Sequence, residues 1–365
     1  MSPKKYLRYF VPASMFDTNR TKDILQMYPA VPTVREEAEK VKICIYDYNG
    51  TTLQEKELCD VEETKAYIGN NHITWINVDG LRKKEVELIS EYYGIHPLLT
   101  EDILSIHQRP KMDEVEGVIF CLLYMLYYND TTKTVEQEQI SIVLGKDFVI
   151  TFQEFPKKDV FNPLRDKLKM PNSNLRQRGA DYLCYSMLDM IVDNYFVVME
   201  KLGDRIEDLE EDIINNSNSS ALALISILRK EMIVLKRNIT PVRDLISNLM
   251  RSESTLLDKR TIKYFKDIYD HIVQAYDLSE NYRDVMMNMQ DLYINNVNLK
   301  MNEAMKVMAV VTCLLAPATV IGGIFGMNFE RIPLLHDKWG FFISVALMLL
   351  IPIWMLKVFK RKGWF

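Results

Sequence analysis

The sequence predicts an α+β protein: an α/β domain with a mixed sheet, then long helices that form a stalk, then two C-terminal membrane-spanning helices. Three observations predict it. Strand-like apolar stretches alternate with helical segments up to about residue 155. From residue 180 to 325 the only prolines are Pro241 and Pro317, and apolar residues recur at three and four. Residues 307–325 and 340–356 carry no charged side chain.

The strand-like stretches are residues 41–46, 73–78, 118–125, 140–144 and 148–152, rich in Val, Ile, Phe and Tyr, with a helical segment over residues 81–93. Gly145-Lys146-Asp147 reads as a hairpin turn, which imposes at least one antiparallel pair and makes the sheet mixed. Beyond Pro171-Asn172-Ser173 helices take over. Their breaks fall at the cap-rich run Asn215-Asn216-Ser217-Asn218-Ser219-Ser220 and near Arg251-Ser252-Glu253-Ser254. The last long helix starts around Asp258 and runs on into the first apolar span. Some sixty-five residues at ~1.5 Å each make a rod of roughly 100 Å, which needs partners along an apolar seam.

Each charge-free run is long enough at helical rise to cross a hydrocarbon core of ~30 Å. Trp339 precedes the second run and Lys357, Lys360, Arg361 and Lys362 follow it, with Trp364 beyond, so the positive-inside tendency puts the C-terminus in the cytoplasm. Two spans return the N-terminus to the same side. Residues 1–9 are basic and Tyr-rich and lack the apolar core of a signal peptide. The expected divisions are an unassigned segment 1–40, a cytoplasmic α/β domain 41–170, a helical hairpin 171–256, a stalk helix continuing into the first span 257–327, an outer loop 328–338, a second span 339–357 and a basic tail 358–365.

The composition fits a mostly water-soluble chain with a small membrane part: 26% charged residues and a formal net charge of -5. Cys44, Cys59, Cys121, Cys184 and Cys313 show no Cys-x-x-Cys spacing, so neither a disulfide framework nor a thiolate metal site is indicated. His107 stands near Arg109, but no nucleophile motif or phosphate-cradling glycine loop accompanies it, and the five histidines lack ligand spacing. No enzymatic activity is expected. The acidic run Asp204, Glu207, Asp208, Glu210, Glu211 and Asp212 reads as a solvated helix face.

One face of the first span is unusual. Steps of three and four from Asn302 reach Met305, Ala309, Thr312, Ala316, Thr319, Gly323 and Gly326, every one small, polar or Met. Such a stripe in a bilayer serves either as a helix-packing seam or as the wall of a water-filled path. One such helix cannot enclose a channel, so the second use requires a ring of subunits. The wall would hold no carboxylate, and oxygens come from Asn302, Thr312, Thr319 and Asn328. Neutral oxygens suit magnesium, which dehydrates reluctantly and can be recognised through its bound water.

Gly326-Met327-Asn328, in the setting of Phe325 through Glu330 and of Asn302-Glu303-Ala304-Met305-Lys306-Val307-Met308, resembles the hallmark of the CorA-type magnesium transporters. Tyr93 through Leu98, Glu101 through Leu104, His107-Gln108-Arg109-Pro110-Lys111, Ala180-Asp181-Tyr182-Leu183, Tyr264 through His271 and the Lys360-Arg361-Lys362-Gly363-Trp364 tail are similar too. The resemblance implies a homopentamer in the cell's inner membrane with a cytoplasmic funnel, five first spans around the pore, and an Asn328 ring at the outer mouth that selects hydrated cation. It implies that Asp102 and Asp267 meet across neighbouring subunits around regulatory magnesium, with Glu101 and Asp189 at a secondary site. It implies polar rings of Asn302 and Asp291 at and below the inner end of the pore. Some relatives place a bulky Met at the position of Ala316; if Ala316 faces the axis, the constriction rests more on Met305 and Met308. Magnesium is then both cargo and regulator, and cobalt or nickel are further substrates. The lipid bilayer and other copies of the chain are the expected partners, with no nucleic acid. A zinc transporter of the same superfamily and a membrane-anchored metal sensor without transport are the alternatives.

Overall fold

The computed structural model describes residues 37–106, 108–155, 159–216, 221–328, 332–334 and 337–364. Most of the unassigned N-terminal segment, His107 and part of the outer loop lie outside them. Two compact units divide the chain: Met1–Asp212 with Asn218–Gln290, and Ile213–Ser217 with Asp291–Phe365.

The first unit is built on a seven-stranded sheet: β1 Lys42–Tyr48, β2 Leu53–Leu58, β3 Ile73–Asp79, β4 Lys111–Val115, β5 Val118–Asn129, β6 Thr134–Leu144 and β7 Phe148–Gln153, in the order β2-β1-β3-β7-β6-β5-β4. Every neighbouring pair is antiparallel except β3 with β7, where Trp75 stands opposite Val149 in a parallel register. The sheet is therefore mixed, as expected. The turn at Gly145 joins β6 to β7, its N–H donating to the Phe148 carbonyl at 2.9 Å, and a side chain at Gly145 would strike the Phe148 ring.

Helices cover both faces, which explains why β5 is buried over nine successive residues instead of alternating. On one face α1 (Lys83–Tyr93) and α2 (Pro97–Leu104) bring Val86, Ile89, Leu99 and Ile103 onto Ile76, Val78, Phe120, Leu122 and Val143. Gly94 closes α1 in the left-handed conformation, and His96 caps α2 by accepting the Leu98 N–H, with Pro97 at the first helical position. On the other face α3 (Asn162–Lys169) follows Phe161, whose ring meets Trp75 edge-on at 5.9 Å. After α4 (Asn174–Gln177) comes α5 (Ala180–Asn216), held to the sheet where the Tyr195 hydroxyl donates to the Tyr124 carbonyl at 2.7 Å.

The helical hairpin partner α6 (Ala221–Arg251) carries Pro241 in its interior, and α7 runs unbroken from Lys259 to Phe325 through Pro317. Asp258 caps α7: its carboxylate accepts the Arg260 N–H at 2.8 Å while its own N–H donates to Asp181 at 3.0 Å. Within the first unit α7 buries Phe265, Ile268, Ile272, Ala275, Met286 and Met289, the three-and-four spacing of a packed seam. The second unit holds the remainder of α7 and α8 (Gly340–Arg361). Both helices contain segments long and apolar enough to cross a membrane. All five cysteines are free, and Cys121 and Cys184 lie against each other, buried between β5 and α5.

Candidate ion path and metal-binding carboxylates

In the second unit the structure distinguishes the two sides of α7. Val310 is buried, and Leu314, Pro317 and Ile321 beneath it are half-buried, while Met305, Ala309, Thr312, Ala316, Thr319, Gly323 and Gly326 are exposed. The buried side belongs to α8: Lys306 donates to the Gly363 carbonyl at 3.2 Å, and the Met348 side chain comes within 3.9 Å of where a Gly322 Cβ would stand. At ~100° per residue the small-residue stripe lies about 150° round the helix from this seam. The chain's own second span therefore does not use the stripe. Asn302 and Asp291, both exposed, continue the same face toward the N-terminal end of the unit, and exposed Met308 lies beside it.

The stripe's hydroxyls are oriented. Thr312 donates to the Met308 carbonyl at 2.9 Å and Thr319 to the Leu315 carbonyl at 3.1 Å. Each hydroxyl thereby commits its proton to the helix and leaves only lone pairs to face outward. Such oxygens accept hydrogen bonds from water on a cation. At the end of α7 the Gly326 N–H is shared between the Gly322 and Gly323 carbonyls, at 3.0 and 3.2 Å, and the Met327 N–H reaches Ile324 at 3.3 Å. The helix tightens there and presents Asn328, exposed, directly after its last turn.

The carboxylates expected to bind metal fall into two groups in the first unit. Asp102 lies in the last turn of α2, where the Lys111 ammonium sits 2.6 Å away and reaches Asp113 at 3.0 Å. Gln139 on β6 donates its side-chain amide to the Asp102 and Ser105 carbonyls at 3.3 and 3.0 Å, fixing the helix end. Glu101 is exposed beside Asp102 and lines an open cleft with Glu87, Glu91 and His96. Asp189 and Asp267 belong to the other group. Burial pushes the Asp189 carboxyl up, and the charges of Asp193 and, more weakly, Asp267 add to it, while His271 and the Tyr185 hydroxyl pull the other way.

Sequence reasoning missed two members of this second group. Asp189, Asp193 and His271 bring ligand-type atoms within 4.8 Å of one another, with His271 Nδ1 3.5 Å from Asp193. The signal was present as two i, i+4 pairs, Asp189 with Asp193 on α5 and Asp267 with His271 on α7, each pair placed on one helix face. Only the packing of α5 on α7 shows that the faces meet. Carboxylate oxygens are the hard donors that magnesium takes, and the imidazole widens the set toward cobalt, nickel or zinc.

A family model described as CorA-like Mg2+ transporter protein matches residues 70–361. The cobalt/magnesium transport protein CorA of Thermotoga maritima is 37% identical over 327 residues, which cover 89% of this chain and 93% of that protein. The complete structure of the CorA magnesium transporter from Methanocaldococcus jannaschii shares the fold, with a TM-score of 0.73 at 24% identity over 90% of this chain and 100% of that one. The zinc transport protein ZntB of Yersinia pseudotuberculosis is more distant, 20% identical over 301 residues covering 80% of this chain and 87% of that protein.

Proposed function

The chain belongs to the CorA-like Mg2+ transporter family, and from that membership we propose that it is a homopentameric magnesium channel of the cell's inner membrane, with both termini in the cytoplasm. Five copies of α7 surround the axis with the stripe from Asn302 to Gly326 turned inward. Asn328 forms the outer ring that selects the hydrated cation, and Asp291 and Asn302 form polar rings below and at the inner end. The observation that carries this reading is the placement of the stripe: α8 takes the opposite side of α7, so the small and polar face is left for other copies of the chain or for water. Lipid offers no partner to such a face.

Selection follows from the oxygens available. Outward lone pairs on Thr312 and Thr319 and the Asn328 amide carbonyl accept hydrogen bonds from coordinated water, so a cation passes with its inner shell largely intact. Because Ala316 is small, Met305 and Met308 narrow the path when it is closed. The membrane potential drives influx, and no catalytic step is needed.

Regulation is assigned to the carboxylates of the first unit. Asp102 of one subunit and Asp267 of its neighbour repel when bare, and a divalent cation held between them turns the repulsion into a bridge. Glu101 and Asp189 supply the secondary site. High internal magnesium then holds the subunits in the closed arrangement, and low magnesium releases them. Magnesium is preferred over zinc as cargo because the cobalt/magnesium relative is 37% identical over 327 aligned residues and the zinc one 20% over 301.

Flux into liposomes containing the purified protein tests the reading. Wild type should take up magnesium and Asn328→Ala should lose most of that uptake. Equal uptake by both would remove the outer ring, and uptake by neither would turn the assignment toward a metal sensor.

A further inference from the structure

The ammonium of Lys111 occupies the place a cation would take on Asp102. Its Nζ lies 2.6 Å from one Asp102 oxygen and 3.0 Å from Asp113, so one positive charge is shared between two carboxylates. The arrangement is built. Lys111 opens the edge strand β4, and Asp113, two residues along, projects from the same face of that strand. The backbone on the other side is fixed too: Gln139 clamps the Asp102 and Ser105 carbonyls, and the Ser105 hydroxyl donates to the Glu101 carbonyl at 2.7 Å. The Asp102 side chain is 17% exposed and that of Asp113 40%, so the inner carboxylate is the more sheltered of the two.

A divalent ion that takes the same Asp102 oxygen must displace this ammonium, and the ammonium has somewhere to go. By turning about its side-chain bonds Lys111 can leave Asp102 and keep Asp113, losing one of its two partners instead of both. We propose that Lys111 is a built-in competitor for the regulatory cation: it holds Asp102 when the cation is scarce, yields to Asp113 when the cation binds, and so sets the concentration at which the channel closes. This rests on the reading of Asp102 as a regulatory ligand. A partly exposed ion pair of this kind shifts a competing equilibrium by about two- to fivefold, which is the size of effect to look for.

The test uses the full-length protein in detergent, digested with proteinase K across a range of free magnesium chloride, and reads the midpoint of protection. Lys111→Met and Lys111→Gln should lower the midpoint about two- to fivefold, while Lys111→Arg should stay near wild type. Asp113→Asn should raise the midpoint when Lys111 is present, because the ammonium then has only Asp102, and should have little effect once Lys111 is Met. A thermal melt in EDTA confirms that each variant is assembled. Unchanged or raised midpoints in both Lys111→Met and Lys111→Gln would overturn the proposal. So would an Asp113→Asn effect that is equally large without Lys111, since that is what a diffuse charge effect produces. Asp102→Asn separates the two ideas. If it leaves the midpoint where it was, Asp102 is no ligand and the competitor falls with it. If it shifts the midpoint and the Lys111 variants do not, the ligand stands and the competitor alone fails.

Discussion

Single cysteines introduced along α7 should react with a membrane-impermeant thiol reagent in a helical rhythm. The peak should follow Met305, Ala309, Thr312, Ala316, Thr319 and Gly323, and the trough Val310, Leu314 and Ile321. The background replaces Cys44, Cys59 and Cys313 with Ser and leaves Cys121 and Cys184, which are buried. The nucleophile is the thiolate. A thiol in water has a pKa of ~8.5, so about 3% is ionised at pH 7. The side chain at position 310 is 3% exposed, so a thiol there reacts only when the local packing opens, and an opening cost of about 2 kcal/mol slows it about thirtyfold. Stripe positions facing water keep the higher rate, so the peak-to-trough ratio should be on the order of tens, with peak and trough ~150° apart around the helix. The assay is mass spectrometric counting of modified protein with time, in liposomes, with EDTA present so that the regulatory sites are empty. Fast positions centred on Val310 and Leu314 would refute the orientation. Uniformly slow reaction along the stripe, with a cysteine at position 328 still reacting, would refute a water-filled path.

Three further outcomes are expected. Asp267→Lys gives the interface a fixed positive partner for Asp102, so protease resistance should persist in EDTA, and a full magnesium-dependent change in that variant would remove Asp267 from the interface. Gly340→Val places a branched side chain against the Leu334 carbonyl at the start of α8, and overpacking of this kind costs about 1–3 kcal/mol, read as a lower melting temperature. Glu138 concerns pH. It is 1% exposed on β6, accepts the Phe155 and Glu154 N–H groups at 2.7 and 3.0 Å, and burial pushes its carboxyl up to about 7. The folded chain then holds a proton that the unfolded chain has released, so stability should fall as pH rises from the ordinary glutamate range to about 7 and level off above, by on the order of 3 kcal/mol. Glu138→Gln should flatten that slope, and an unaltered slope would show that another group causes it.

The fold was legible where one physical signal dominated. The breaks around α6 show as polar runs, cap-rich in the first case, and most of β5 as a strand-like apolar stretch over residues 118–125. Two strands were not legible. β2 reads Leu-Gln-Glu-Lys-Glu-Leu and β4 Lys-Met-Asp-Glu-Val, and both lie at the edges of the sheet. An edge strand needs no apolar run, and charge there prevents pairing with another chain, so it looks like loop when read alone.

That omission reached the candidate site. Residues 111–115 carry no strand signal of their own, so in the sequence Lys111 is only part of a segment that resembles the family, and nothing there pairs it with Asp102. Pairing β4 with β5 sets Lys111 opposite Leu122 and projects its side chain toward the end of α2, where the ammonium meets Asp102. The stripe on α7 shows the complementary case. Its periodicity was visible residue by residue, yet periodicity alone could not separate a packing seam from a pore wall. The decision needed α8, which comes after it in the chain and lies on the other side. In both places the residue types were readable from the sequence, and what they could do depended on which neighbour had already claimed them.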